Sequence, residues 1–286
     1  MIRMVGGLSE LAGAYDVLLS DVWGVIHDGR EAFPAPCAAL ARWRAEVGPV
    51  ILISNSPRPH PQVAIQLDDL GVPRAAWSAL VTSGDATRGL LAERAPGPAF
   101  AIGPERDAPL YEGLGLKFAD LEHAAFISCT GPVNDEVETP EDYRPLFTRA
   151  VGRHLPMICA NPDKVVQRGE RLIYCGGALA ELYEQLGGEV IMAGKPHAPI
   201  YAASLARAEE LAGRAPDHRR VLAIGDGVAT DVAGANRQGL DVLYVAGGIH
   251  AAETRGPDGG VDLAAVERLL AAGRVHAALA TDTLGW

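Results

Sequence analysis

Five short runs that are apolar almost throughout punctuate the chain: Val17-Leu18-Leu19-Ser20, Val50-Ile51-Leu52-Ile53, Val190-Ile191-Met192, Val221-Leu222-Ala223-Ile224 and Asp241-Val242-Leu243-Tyr244-Val245. A strand with one face in water alternates apolar and polar residues, so uninterrupted runs point to strands covered on both faces. Between them lie stretches with helical spacing at Gln62 to Leu70, Pro199 to Ala212 and Asp262 to Ala271. That alternation is the signature of parallel strands joined by helical crossovers. The expected fold is α/β, with a Rossmann-like, doubly wound parallel sheet at its core.

The middle of the chain carries apolar runs of its own, at Ala99 to Ile102, Ala124 to Ser128, Met157 to Ala160 and Leu172 to Tyr174. It reads as an inserted α/β domain over residues 84–188, leaving residues 1–83 and 189–286 to build the core. Within the insert, Thr139-Pro140-Glu141-Asp142 marks a helix start: an N-cap, a proline in the first turn, and acids near the positive end of the dipole.

With 286 residues, 48% of them hydrophobic, the chain can bury a large domain and a smaller companion. Its formal net charge of -11, without a local basic run, would repel a nucleic-acid backbone or an anionic membrane, so neither is an expected partner. No apolar run approaches the roughly 18 residues needed to span a bilayer, and the residues from Met1 to Gly7 lack a signal-peptide pattern. A cytoplasmic protein is expected. Cys37, Cys129, Cys159 and Cys175 form neither a CxxC pair nor a Cys/His zinc pattern, and are expected to be buried free thiols.

Ligands of open α/β sheets bind beyond the carboxyl ends of the strands, which directs attention to the residues that follow the apolar runs. The first run leads into Asp21-Val22-Trp23-Gly24-Val25 and the second into Ser54-Asn55-Ser56. The third leads into Gly194-Lys195-Pro196 and the fourth into Gly225-Asp226-Gly227-Val228-Ala229-Thr230-Asp231. Singly, each has a plain reading as a turn, a cap or a solvated charge. Together they place a carboxylate, a hydroxyl, a lysine and an acidic pair at one edge of the expected sheet.

In this order the four segments resemble the signature motifs of the haloacid dehalogenase superfamily. Thr82-Ser83-Gly84, Cys159-Ala160-Asn161-Pro162-Asp163 and Gly194-Lys195-Pro196-His197 narrow the resemblance to the class IIA-capped branch of sugar phosphatases and nitrophenylphosphatase-like enzymes. It implies a Mg2+-dependent hydrolase of small phosphorylated metabolites such as sugar phosphates. Asp21 would attack phosphorus to form an aspartyl-phosphate, splitting one difficult displacement into two easier ones. Nucleophile and phosphate are both negative, so the site needs cations and donors already in place. The resemblance assigns Mg2+ to Asp21, Asp226, Asp231 and the backbone carbonyl of Trp23, and charge neutralisation to Lys195. Ser54 would bind phosphate oxygens, and Gly24 and Asn55 lie where the chain approaches the ligand. The insert becomes a substrate-selecting cap, with Asn161 and Asp163 as leaving-group contacts or an Asn-Pro turn, and Gly176-Gly177-Ala178 as a helix entry facing the same cleft or an ordinary turn. Whether the protein forms a homodimer is left open.

One position departs from the pattern. Phosphatases of this superfamily carry a second Asp two residues after the nucleophile, as acid and base; here Trp23 stands there. Losing such a group typically removes a factor of about 10^2 to 10^4. His27 could carry protons instead, or His27 and Asp28 could shape the turn at Gly29. Two alternatives follow from Trp23: a metal- and phosphate-binding protein with impaired turnover, or a 2-haloacid dehalogenase-like hydrolase. A metal-free dehalogenase has no use for Asp226 and Asp231 together, which favours phosphoryl chemistry. Phosphonate cleavage is disfavoured because Lys117 and Lys164 are not placed to form a Schiff base.

Overall fold

A computed structural model describes residues 2–168 and 171–286. Its strands, in chain order, are β1 (Arg3–Met4), β2 (Val17–Ser20), β3 (Val50–Ser54), β4 (Ala79–Thr82), β5 (Ala99–Ile102), β6 (Phe126–Cys129), β7 (Met157–Cys159), β8 (Val165–Arg168), β9 (Arg171–Tyr174), β10 (Val190–Met192), β11 (Val221–Gly225), β12 (Asp241–Val245) and β13 (Leu279–Thr281). The chain divides into two compact units, one of Met1–Ser54, Ala64–Val81 and Tyr201–Trp286, the other of Asn55–Val63 and Thr82–Ile200.

The first unit is built on a seven-stranded sheet of order β1-β13-β12-β11-β2-β3-β4. From β1 through β3 in that order the neighbouring strands pair in parallel. Leu18, Leu19, Val50, Ile51, Leu52, Val221 and Leu222 are fully buried. Uniformly apolar runs thus become strands covered on both faces, each large side chain contributing about 1.5–3 kcal/mol. The crossover from β2 to β3 is the helix Pro34–Glu46, which opens on prolines in its first turn and buries Leu40 and Trp43 completely. The helix Leu263–Ala272 before β13 starts where Asp262 accepts a hydrogen bond from the Ala264 N–H at 2.9 Å. From β2 the chain runs outward to β3 and β4, then returns through β11 to the other side. The boundary between β2 and β11 is therefore the switch point at which such sheets bind ligands.

The second unit holds a four-stranded parallel sheet of order β10-β7-β6-β5 and a separate antiparallel hairpin, β8-β9. One sequence reading is corrected here. Val190–Met192, taken as a strand of the core sheet, pairs with Met157–Cys159 in the second unit's sheet. Leu172–Tyr174, expected as a strand of the insert, is one, in the hairpin. The helix start at Thr139 is present: the Asp142 carboxylate accepts from the Thr139 N–H at 2.7 Å and from its hydroxyl at 2.9 Å. The four cysteines are free and buried. Among the described residues no helix is long and apolar enough to cross a membrane.

Candidate active site

In the register of β2 and β11, Leu19 lies opposite Ala223 and Ser20 opposite Ile224. Asp21 and Asp226 therefore leave the sheet side by side, and the Asp21 N–H still donates to the Ile224 carbonyl at 2.8 Å. After Asp226 the chain makes one π-helical turn, Val228–Val232, before the helix Ala233–Gln238. That turn brings Asp231 back: its carboxylate accepts from the Gly227 N–H at 3.0 Å. Asp21, Asp226 and Asp231, at 7%, 5% and 4% exposure, present carboxylate oxygens that all lie within 4.8 Å of one another.

Two ionised carboxylates that close repel by about 3–4 kcal/mol at an effective dielectric near 20, and three such pairs meet here. An all-oxygen, acidic donor set of this kind suits a hard divalent cation, which would both cancel the repulsion and retain waters in the remaining positions. At two neighbouring glycines the packing leaves no room for a side chain. A Cβ on Gly24, whose φ is +81°, would lie 2.2 Å from Asp226 Oδ2, and one on Gly225 would lie 2.2 Å from Asp231 Cγ.

Two contributors were not singled out from the sequence. The Ile249 N–H donates to Asp226 Oδ2 at 2.7 Å, and a Cβ on Gly248 would fall 2.1 Å from the same oxygen. Both follow β12, whose apolar run was recognised. The Gly-Gly pair at its carboxyl end was the available signal.

Trp23 is half-buried, with its indole edge-on to the His27 ring at 5.1 Å between centroids. It also covers Gly29, where φ is +83° and a Cβ would lie 2.4 Å from the indole. His27 is 2% exposed and its Nδ1 accepts from the Gly29 N–H at 2.9 Å. Asp28 Oδ1 accepts from the N–H groups of Arg30 and Glu31 at 2.8 and 3.0 Å. Of the two readings left open for this pair, these bonds support the turn. Burial pushes the His27 pKa down to about 4, against the opposing charge of Asp28. The ring is neutral near pH 7, with its proton on Nε2.

The ordinary histidine pKa is near 6.5, so as pH falls from 6.5 to 4 an unfolded chain takes up a proton that the folded chain refuses. Stability is expected to drop by up to about 3 kcal/mol across that window from this group. Chemical denaturation at stepped pH should show the slope, and His27→Gln should remove it. An unchanged slope in the variant would refute the assignment.

Ser54 ends β3 and is 8% exposed. In the second unit, the Asn55 side chain accepts from the Lys195 N–H at 2.7 Å and donates to the Lys195 carbonyl at 3.1 Å and to Asp163 Oδ1 at 2.8 Å. Asn55 thus positions Lys195, itself 2% exposed, and links it to the Asn161–Asp163 loop. Asn161 Oδ1 accepts from the Asp163 N–H at 3.1 Å. The glycine pair at 176 and 177 admits this loop: a Cβ on Gly177 would lie 2.1 Å from the Pro162 carbonyl oxygen. Gly194 is equally constrained, 2.4 Å from Ser83 Oγ by the same measure. Lys164 pairs with Glu181 at 2.7 Å on the surface.

Residues 18–117 match the family described as haloacid dehalogenase-like hydrolase, and residues 192–269 match one described as HAD-hydrolase-like. A crystal structure of a haloacid dehalogenase-like hydrolase from Brucella suis 1330 is 48% identical, with a TM-score of 0.88 over 97% of this chain and 98% of that one. The chain belongs to the haloacid dehalogenase-like hydrolase family. Within that family, a D-glycerol 3-phosphate phosphatase of Mycobacterium tuberculosis is 28% identical over 86% of this chain and 67% of its own length. A glycerol phosphate phosphatase from the same organism, crystallised with magnesium, superposes with a TM-score of 0.63 at 23% identity over 90% of this chain and 77% of that one.

Proposed function

We propose that this haloacid dehalogenase-like hydrolase is a Mg2+-dependent phosphatase of small phosphate monoesters of the sugar-phosphate kind, working through an aspartyl-phosphate on Asp21. The observation that carries this reading is the buried cluster of Asp21, Asp226 and Asp231 at the switch point of the sheet. Asp21, Asp226, Asp231 and the Trp23 carbonyl would hold the ion, which when bound offsets the charge of phosphate and nucleophile. The Asp21 carboxylate attacks phosphorus and the ester oxygen leaves, taking a proton from solvent; water then attacks the phosphorus of the acyl phosphate, gives up a proton to solvent and restores the carboxylate. Lys195 supplies positive charge to the phosphoryl group, Ser54 donates to one of its oxygens, and Asn55 holds Lys195 in position. Residues 84–188 would act as the cap that selects the leaving group through Asn161 and Asp163. Relatives that act on glycerol phosphate, one of them crystallised with magnesium, support the same chemistry.

Trp23 favours a second reading, a protein that binds metal and phosphate with little turnover. Phosphate release from p-nitrophenyl phosphate separates the two, because nitrophenolate leaves without needing a proton from the protein. We expect turnover with Mg2+ that a chelator abolishes and added Mg2+ restores. Binding of Mg2+ and phosphate without turnover would establish the second reading. Turnover indifferent to the chelator, or chloride release from a 2-haloacid, would overturn the proposal.

A further inference from the structure

The second unit contains a cluster of arginines that the hydrolytic machinery does not use. Arg58 follows Asn55 by three residues, so their Cα atoms are at most about 11 Å apart. Its guanidinium lies at the outer limit of ion pairing, 4.0 Å from Asp107, with side-chain exposures of 22% and 6%. Arg106 pairs with Asp135, and Arg168 bridges Asp135 at 3.1 Å and Glu136 at 2.8 Å. Glu136 is shared with Arg171 at 2.8 Å. Three guanidiniums therefore surround the two carboxylates Asp107 and Asp135.

They are close enough to oppose one another. Burial lowers the pKa of Arg58; Asp107 counters this, and the charges of Arg106 and Arg168 add to the lowering. The group also adjoins the Asn161–Asp163 loop. Burial raises the Cys175 thiol, the Asp163 and Asp135 carboxylates raise it further, and Arg168 and a hydrogen bond to Asn161 oppose them. Asp163 in turn is bonded to Asn55, which holds Lys195. Within one unit, polar contacts run from Lys195 through Asn55 to Asp163, and others from Arg106 through Asp135 to Arg168; Cys175 feels the charges of both Asp163 and Arg168. Arg58, three residues after Asn55, meets the group through Asp107, the residue that follows Arg106.

Gathering like charges in a half-buried place costs free energy, and among the described ion pairs the four guanidiniums of Arg58, Arg106, Arg168 and Arg171 outnumber the three carboxylates of Asp107, Asp135 and Glu136 set against them. The planar fork of arginine suits two-point binding of carboxylate or phosphate. We propose that Arg58 and Arg168, with Arg106 behind them, bind a second anionic group of the substrate, so that the preferred ligand is a small phosphate monoester bearing a carboxylate or a second phosphate. This rests on the phosphatase reading for the first phosphate, held at Lys195, and adds the substrate class.

The test is calorimetric titration of the full-length Asp21→Asn chain with Mg2+, in which binding is read without turnover. The ligands are glycerol 3-phosphate, 3-phosphoglycerate, which replaces the terminal CH2OH by a carboxylate, and glycerol 1,3-bisphosphate. At least one of the two dianchored ligands should bind about tenfold or more tightly than glycerol 3-phosphate, and which one does so identifies the second group as carboxylate or phosphate. Arg58→Gln and Arg168→Gln, each introduced into that chain, should bring the ratio below about threefold. A ratio within threefold before any arginine is changed overturns the proposal, as does failure of all three ligands to bind or persistence of the preference in both variants. The hydrolytic reading fails separately, if the chain with Asp21 intact binds these ligands yet releases no phosphate from any of them.

Discussion

Asp21→Asn is expected to reduce Mg2+-dependent hydrolysis of p-nitrophenyl phosphate by about 10^4-fold or more, equivalent to over ~5 kcal/mol of barrier. The amide has nearly the shape of the carboxylate, and the backbone bond from residue 21 to Ile224 does not depend on the side chain. What disappears is the nucleophile. The change also removes one of three mutually repelling charges, so the metal-free variant should be at least as resistant to urea as the parent. Loss of activity together with retained or increased stability identifies a chemical defect. Retention of more than about a tenth of the parental turnover would exclude Asp21 as the group that takes the phosphoryl.

Gly248→Ala should be the most damaging single-methyl addition at the site. Its Cβ would meet Asp226 Oδ2 at 2.1 Å and Asp226 Cβ at 2.2 Å. The second contact is anchored to the backbone and cannot be relieved by rotating the carboxylate. Overpacking of this kind typically costs about 1–3 kcal/mol, and displacement of Asp226 should weaken Mg2+ binding by roughly tenfold or more. Gly13→Ala is the matching control, because Gly13 is exposed and nothing lies within 4 Å of the added atom; it should shift stability by no more than about 0.5 kcal/mol. Urea denaturation and Mg2+ titration of the two variants give the comparison. Equal behaviour would mean that the Gly248 approach to Asp226 is unimportant.

The acidic cluster was legible because each acid follows a run whose composition admits one reading. Val17–Ser20 and Val221–Gly225 are apolar enough to require a covered strand, and a carboxylate just beyond such a strand reaches the ligand edge. Val190–Met192 was misplaced because three apolar residues specify a buried strand and nothing about which sheet receives it; pairing with Met157–Cys159 is a long-range choice. Gly248 and Ile249 carry no side-chain chemistry, and their part in the site lies in a missing Cβ and a main-chain N–H. The arginine group was invisible for another reason. Arg58, Arg106 and Arg168 are scattered over more than a hundred residues, each reading alone as a solvated charge. For His27, a contact at short range, the bond from the Gly29 N–H to its ring, supports the turn reading.

The placement of β2 between β11 and β3 has a consequence for biosynthesis. A ribosome emits β2 and β3 early, but the strand that must cover the other flank of β2 arrives roughly 200 residues later, about 10–40 s at ordinary elongation rates. Until then the nascent N-terminal portion carries an open strand edge, the kind that invites association with other chains. The acidic cluster can close only when translation has delivered Asp226 and Asp231, so completion of the candidate site coincides with the sealing of that edge.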